Sequence, residues 1–228
     1  MGCDDHFASH QFAFPNESRC ETFLQEIEFY LTIYAKSETD LRRDIAVRLL
    51  DIGKHVRCRD RTWRREDLDA IASWKGLRPR MLMIEMNAAD FEVSLESAVR
   101  ADDEASRVKA LCGIHGIGPV LASAVLMFTW PEKFGFMDNH TCNALRYLGF
   151  SFPKKYTTSR FTVGQLLTYL RVVRALGERK PVSSMEIAEA LYALDSSDLL
   201  SNAAKDPTTT ITNPTIKIQA ISKETSLN

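Results

Sequence analysis

The run Ala110-Leu-Cys-Gly-Ile-His-Gly-Ile-Gly-Pro-Val-Leu-Ala-Ser-Ala-Val-Leu126 leaves its backbone few choices. Three glycines within six residues, Gly113, Gly116 and Gly118, interrupt an otherwise helical apolar pattern. Gly116 and Gly118 predict positive φ angles and a close approach of two chain segments, with Ile117 between them turned inward. Pro119 fits the first turn of a following helix, where its missing N–H costs nothing. Ala122, Ser123 and Ala124 keep that helix slim enough to pack closely on its partner. The reading is helix, tight hairpin, helix.

Such a hairpin opens onto a helix N-terminus, whose unpaired N–H groups and positive dipole end suit an anion. A phosphate bound there positions a duplex without reading its bases. Gly113, His115, Gly116, Gly118 and Pro119 are the contacts expected from this stretch. For His115 local hydrogen bonding is the blander alternative.

The rest of the chain reads as helices. Apolar residues recur at helical spacing over 18–35 (Phe23, Ile27, Tyr30, Leu31, Tyr34) and over 39–53 (Leu41, Ile45, Leu49, Ile52), with Gly53 as a stop. Further helices are expected at 65–75, 79–87, 88–100, 139–148, 162–177 and 185–194, with Ser183 and Ser184 ahead of the last. No strand-type alternation occurs before residue 207. Residues 1–17 are expected to be a flexible N-terminus, 18–198 one helical domain, and 199–228, rich in Thr, Ser, Asn and Pro, a disordered tail. The fold class is all-α: a compact globule of about ten helices around the central hairpin, with a flexible C-terminal tail.

With 45% hydrophobic and 26% charged residues, 228 residues can bury a full core. No stretch reaches the ~18 uninterrupted apolar residues of a membrane helix, and the N-terminus lacks signal-peptide regions, so the expectation is a cytoplasmic protein, nucleoid-associated if bacterial. Five widely spaced cysteines without a CxxC pair fit reduced thiols. Cys3, His6 and His10 are set aside as part of a frayed terminus. The absence of GxxxxGK, GxSxG and HExxH removes the footing for nucleotide hydrolysis, serine-esterase and zinc-protease chemistry.

The net charge of −1 hides segregation: residues 42–80 hold twelve Lys/Arg against six Asp/Glu, and 139–180 hold eight against one. Folded onto one face, these blocks would attract phosphate. Lys154, Lys155 and Arg160, with Arg171 and Arg174 beyond them, are the candidates for clamping a DNA backbone; solvated helix faces are the ordinary alternative.

Two linked segments carry a family resemblance. Ile114-His-Gly-Ile-Gly-Pro-Val-Leu-Ala122 resembles the LPGVGxxTA hairpin of endonuclease III-like DNA glycosylases, the helix-hairpin-helix (HhH-GPD) superfamily. Pro131-Glu-Lys-Phe-Gly-Phe-Met-Asp-Asn-His-Thr-Cys-Asn-Ala-Leu-Arg-Tyr-Leu-Gly149 resembles the loop and VDTHVxRxxxRLG segment that follow it. The resemblance is clear over 104–149, with a vaguer helical similarity back to about residue 65.

The resemblance implies that Asp138 is the catalytic aspartate, whose carboxylate stabilises the oxocarbenium-like sugar as the N-glycosidic bond breaks. An Asp immediately before a helix also reads as its N-cap, and the two roles can coexist. The lysine that strand-cutting relatives carry in the second hairpin helix is replaced by Val120, so the resemblance implies no lyase step there; Lys109 and Lys133 read as surface residues. No cysteine follows Cys142, so no iron–sulfur cluster is implied; the only cofactor it suggests is a monovalent cation on the carbonyls of Cys112, Ile114 and Ile117. Trp63, Trp74 and Trp130 could stack on a flipped base, Trp74 in Ser-Trp-Lys-Gly most temptingly, although core packing is the commoner use. His140 is not assigned a catalytic role.

Three readings follow. The first is a monofunctional DNA glycosylase of base-excision repair, binding double-stranded DNA through the hairpin and hydrolysing the bond to a damaged or modified base with Asp138. The second is a non-catalytic DNA-binding or protein-interaction protein that keeps the helix-hairpin-helix scaffold. The third, a helical scaffold unrelated to nucleic acid, leaves both motifs as coincidence. The base recognised depends on a pocket built from distant helices.

Overall fold

A computed structural model describes residues 13–77, 88–152 and 161–196. Among them are ten α-helices and no strand: α1 (Glu17–Gln25), α2 (Ile27–Ser37), α3 (Asp40–Arg57), α4 (Arg65–Trp74), α5 (Ala88–Val99), α6 (Glu104–Gly113), α7 (Pro119–Thr129), α8 (Asn139–Tyr147), α9 (Val163–Gly177) and α10 (Ser184–Ser196). The expected all-α architecture is what forms. The helix expected at 79–87, the tail from 199, Lys154, Lys155, Arg160 and the Cys3/His6/His10 group lie outside the described residues.

Helix α7 is the axis of the assembly. From Leu121 to Thr129 every residue is buried, the pattern of a helix enclosed on all sides. Helices α3, α4, α6 and α9 pack around it, and α10 lies against α2 and α8. The expected periodicities mark the buried faces: Phe23, Ile27, Tyr30 and Tyr34 in α1 and α2, and Phe91, Leu95 and Val99 in α5.

Three local expectations are corrected. The single helix over 18–35 is two, interrupted at Glu26 (φ −97°, ψ 11°); the apolar spacing runs straight through the break and so did not reveal it. Gly53 does not stop α3, which continues to Arg57. It is there because α3 and α7 touch backbone to backbone: a Cβ on Gly53 would stand 1.8 Å from the Phe128 carbonyl oxygen. Leu41 does not join the buried face: it is 71% exposed, while the neighbouring Arg42 donates from Nε to the Trp74 carbonyl at 3.0 Å.

The chain near the N-terminus is docked from Phe14 onward. The Phe14 ring meets Phe150 edge-on, the Arg179 guanidinium lies 4.0 Å from its centre, and the Asn16 side chain caps α1 by accepting from the Arg19 N–H. Gly149, at φ +99°, lets the chain turn against Asn16. Cys20, Cys58, Cys112 and Cys142 are free thiols. Among the described residues no helix is long and apolar enough to cross a membrane.

Gly53→Ala should be severely destabilising, by about 3 kcal/mol or more, because neither contacting backbone can yield without opening the α3–α7 packing. Gly113→Ala, where a Cβ meets nothing within 4 Å, should stay within about 1 kcal/mol of the parent. Urea denaturation of the two variants side by side measures both.

Candidate nucleic-acid interface and active site

The hairpin forms where expected. Helix α6 ends at Gly113, the Ile117 N–H bonds back to the Ile114 carbonyl at 3.0 Å, and α7 begins at Pro119. Ile114 and Ile117 are buried, while Gly113, His115 and Gly118 are exposed. Gly116 has the expected positive φ of +88°. Gly118 does not: it is the extended N-cap of α7 at φ −86°, and a Cβ there would meet nothing within 4 Å, so neither conformation nor space demands glycine. No side chain caps α7, so its first-turn amides have the unpartnered character that suits an anion. The Ile114 carbonyl suggested for a monovalent cation already accepts the Ile117 N–H.

The segment between α7 and α8 is held rigidly. Met137 N–H donates to Ser123 Oγ at 2.9 Å, and Tyr169 donates its hydroxyl to the Phe136 carbonyl at 2.6 Å. At Gly135 a Cβ would come 2.7 Å from the Ser184 carbonyl oxygen and 2.8 Å from the Ala188 Cβ, so only glycine lets this strip lie against α10. Ser123 is four residues beyond Pro119, about 6 Å along the helix axis. The segment that ends in Asp138 is thus tied to the N-terminal half of α7.

Asp138 is the N-cap of α8. Its Oδ1 accepts the Thr141 N–H at 2.8 Å while Thr141 Oγ1 accepts the Asp138 N–H at 2.9 Å, a reciprocal capping box. Its other oxygen, Oδ2, lies 2.5 Å from the Nζ of Lys75, at the C-terminal end of α4. The Lys75 side chain is only 4% exposed and that of Asp138 15%. The ammonium faces the Phe136 ring at 3.9 Å from its centre, with Trp74 at 5.7 Å and Tyr192 at 5.9 Å, the geometry of cation–π contact.

The electrostatics of the pair follow from burial. For Asp138, burial works to raise the pKa, but Lys75, the Thr141 N–H and His140 together outweigh it and hold the carboxyl below the usual carboxylate range. For Lys75, burial pulls the pKa down from the ordinary lysine value, and the charge and hydrogen bond of Asp138 restore only part of that. The site therefore holds an ionised carboxylate beside an amine that gives up its proton more readily than a surface lysine.

Lys75 was missed by sequence reading, which looked for an amine at position 120 and beside the hairpin. It sits 63 residues before Asp138, and attention in Ser-Trp-Lys-Gly fell on Trp74. Trp74 is a core residue instead, 1% exposed, with its ring set edge-on to Phe128 and Phe136 and its indole N–H without a hydrogen-bond partner. Trp63 is likewise buried and donates to Thr129 Oγ1, while half-buried Trp130 carries the Arg107 guanidinium 5.0 Å from its ring centre. Core packing accounts for Trp63 and Trp74 in this arrangement.

Beside the pair, His140 Nδ1 lies 2.7 Å from Asp195 Oδ2, and its ring packs on Tyr192. Tyr192 meets Tyr34 edge-on. Near Tyr34 sit Glu38, whose side chain is 7% exposed, and Glu189. Burial, reinforced by the charges of Glu186 and Glu38, pushes Glu189 up to about 8, so it is protonated at neutral pH.

Several of the basic side chains expected on a DNA face are engaged within the protein. Arg42 pairs with Glu38, Arg57 with Glu132, Arg61 with Asp67 and Arg174 with Glu104, while Arg179 pairs with Glu17 and Glu21. Arg171 is exposed on α9.

Lys75→Met and Asp138→Asn should each cost about 3 kcal/mol, since each strands a buried charge or its partner, and the double variant should cost clearly less than the sum. Asparagine still caps α8, so the coupling reports the ion pair and not the helix end; a denaturation double-mutant cycle measures it. For Glu189, with its folded pKa raised, the folded chain holds the proton more tightly than the unfolded one. Its contribution to stability is present at low pH and is lost as pH rises from about 4.5 to about 8. Unfolding midpoints across that range should fall more steeply for the parent than for Glu189→Gln, with the two profiles parallel above pH 8.

Compared with protein-family models, curated proteins and solved structures, the chain matched nothing.

Proposed function

We propose that this chain is a DNA N-glycosylase of base-excision repair, seating one backbone phosphate of a duplex on the hairpin and breaking the bond between a damaged or modified base and its sugar with Asp138. The observation that carries the proposal is an ionised, tightly held carboxylate at the end of the segment that Ser123 ties to α7, the helix whose N-terminus has no side-chain cap. Anchoring the strand would fall to that N-terminus, and meeting the positive charge that develops at C1′ to Asp138.

The chemistry needs a carboxylate that is charged before the substrate arrives and does not have to reorganise. Asp138 meets this requirement: one oxygen is fixed by the Thr141 amide and the other by Lys75. As the glycosidic electrons leave with the base, the sugar becomes cationic and the carboxylate faces it, while Lys75 offers an acidic proton nearby. Water then adds to C1′, its released proton returning to the Lys75 amine, to complete the hydrolysis.

The alternative, a non-catalytic DNA-binding or protein-interaction scaffold, is favoured by one observation: both oxygens of Asp138 already have partners, so the residue has a sufficient structural reason to be there.

Duplexes each carrying one damaged or modified base, incubated with the protein and then treated with hot alkali, distinguish the two. A glycosylase converts at least one duplex to an alkali-labile abasic site, and Asp138→Asn, assayed well below its unfolding midpoint, lowers the rate by about 10²–10³-fold while keeping DNA binding. Binding without excision on every duplex supports the scaffold reading. Failure to bind DNA at low salt removes both.

A further inference from the structure

We propose that the end of the molecule opposite the hairpin, where α3 runs into α4, is a second contact for the sugar–phosphate backbone of DNA, made by Lys54, Arg59 and Arg64. The inference rests on reading the protein as one that binds DNA, but it uses none of the residues that anchor the strand or break the bond in that reading.

The place is set by α7. Trp63, between α3 and α4, donates its indole N–H to Thr129, the last residue of α7, and Arg57, in the last turn of α3, pairs with Glu132 just beyond it. The hairpin meets α7 at its first residue, Pro119, and from Pro119 to Thr129 the helix axis runs about 15 Å. Residues 54–65 carry six Lys/Arg, namely Lys54, Arg57, Arg59, Arg61, Arg64 and Arg65, against one acid, Asp60. Acids close to them are already in use: Asp60 lies by His55, Asp67 by Arg61 and Glu132 by Arg57. Lys54, Arg59 and Arg64 are exposed and have no ion pair among the described residues.

Two of these arginines stand where the backbone favours something else. Helix α3 ends in a Schellman turn, the Asp60 N–H bonding the His55 carbonyl at 3.0 Å and the Arg59 N–H the Val56 carbonyl at 3.2 Å. Arg59 takes the left-handed position of that turn, at φ +66°, which glycine fills at least cost; among the described residues it is the one non-glycine with a positive φ. Arg64 is the N-cap of α4, where Ser, Thr, Asp or Asn would accept a first-turn N–H. A guanidinium has no acceptor, no side-chain cap bond forms, and the positive charge faces the positive end of the helix dipole. Positions where a sequence breaks its own local rules are the ones at which function is expected. At both, a cation has displaced the residue that the fold prefers.

The chemistry selects a phosphate backbone. Guanidinium groups bond phosphate oxygens in pairs, and a contact of this kind needs no apolar centre. A protein partner needs one, and the exposed large apolar side chains, Leu41, Val47 and Val93, all lie outside 54–65. Such a surface holds DNA without reading its bases. With the hairpin at the other end of α7, the protein engages two separate stretches of backbone.

The test is the salt dependence of binding. The full chain is titrated into a fluorescently labelled, undamaged duplex of arbitrary sequence, and the logarithm of the affinity is followed against the logarithm of the salt concentration. Arg59→Gly and Arg64→Ser each remove one cation and supply a residue that the backbone prefers. Each is expected to weaken binding several-fold at low salt and to lower the salt slope by about 0.9, the double variant losing about twice that, while the urea midpoint stays at or above the parent's. Unchanged slopes overturn the proposal; so does a lower midpoint for Arg59→Gly, which would show that the arginine serves the fold. Polyglutamate that binds as tightly as the duplex at matched charge, and loses that binding in the double variant, makes the surface one for acidic peptides and also overturns it. Gly118→Glu, placed where a Cβ meets nothing within 4 Å, brings a repelling charge to the hairpin alone. If it abolishes binding while the arginine variants keep the parent's slope, the hairpin reading stands and this one fails. If the arginine variants lower the slope and Gly118→Glu changes nothing, the second surface is supported and the hairpin reading fails alone. No binding by the parent at low salt removes both.

Discussion

Four of the described helices, α3, α4, α6 and α9, are packed around one that is buried along most of its length. Because α7 is buried on every side from Leu121 to Thr129, each neighbouring element must bring it an apolar face or a gap. Where α3 crosses, the gap is Gly53, and the two backbones come into direct contact. The polar groups α7 does carry are placed where neighbours can use them: Thr129 accepts the Trp63 indole N–H, and Ser123 accepts the Met137 amide. A polar atom in such a helix is tolerated only if it is partnered, so these two contacts fix the approach of the segments before α4 and before α8.

The Lys75–Asp138 pair is the second consequence of that packing. Phe128 and Phe136 hold the Trp74 ring between them, and the residue after Trp74 is carried with it into the interior. A lysine at the end of a helix would ordinarily extend into water; here its stem is committed inward by its neighbour, and the only economical arrangement is to meet a carboxylate at the edge of the core. The desolvated amine is the destabilising half of the pair, and the carboxylate is what makes its burial tolerable.

The hairpin and the helices were legible in the sequence because they depend on local rules. Gly116 needs a positive φ, Pro119 needs a first turn, and the 3.6-residue period of Phe91, Leu95 and Val99 points to one face. Asp138 as a cap was legible for the same reason. What was not legible depends on pairs of residues far apart in the chain. Gly53 looks like a terminator until Phe128 is seen opposite it, and Gly118, which reads as a left-handed turn residue, takes an extended N-cap conformation open to other residues. Lys75 has no motif of its own; only the folded chain puts it against Asp138. Glu189 on α10 likewise meets Tyr34 and Glu38 from the end of α2, so the proton kept on Glu189 has no signature in any one segment.

The serine at position 123 has a meaning beyond packing. Its hydroxyl donates to the Val120 carbonyl at 2.7 Å and accepts from Met137, so the first turn of α7 and the segment leading to Asp138 are joined through one oxygen atom. With both its roles taken, that oxygen cannot rotate without breaking one bond or the other. A shift of one segment must therefore be felt by the other, since a single oxygen atom carries the link between them.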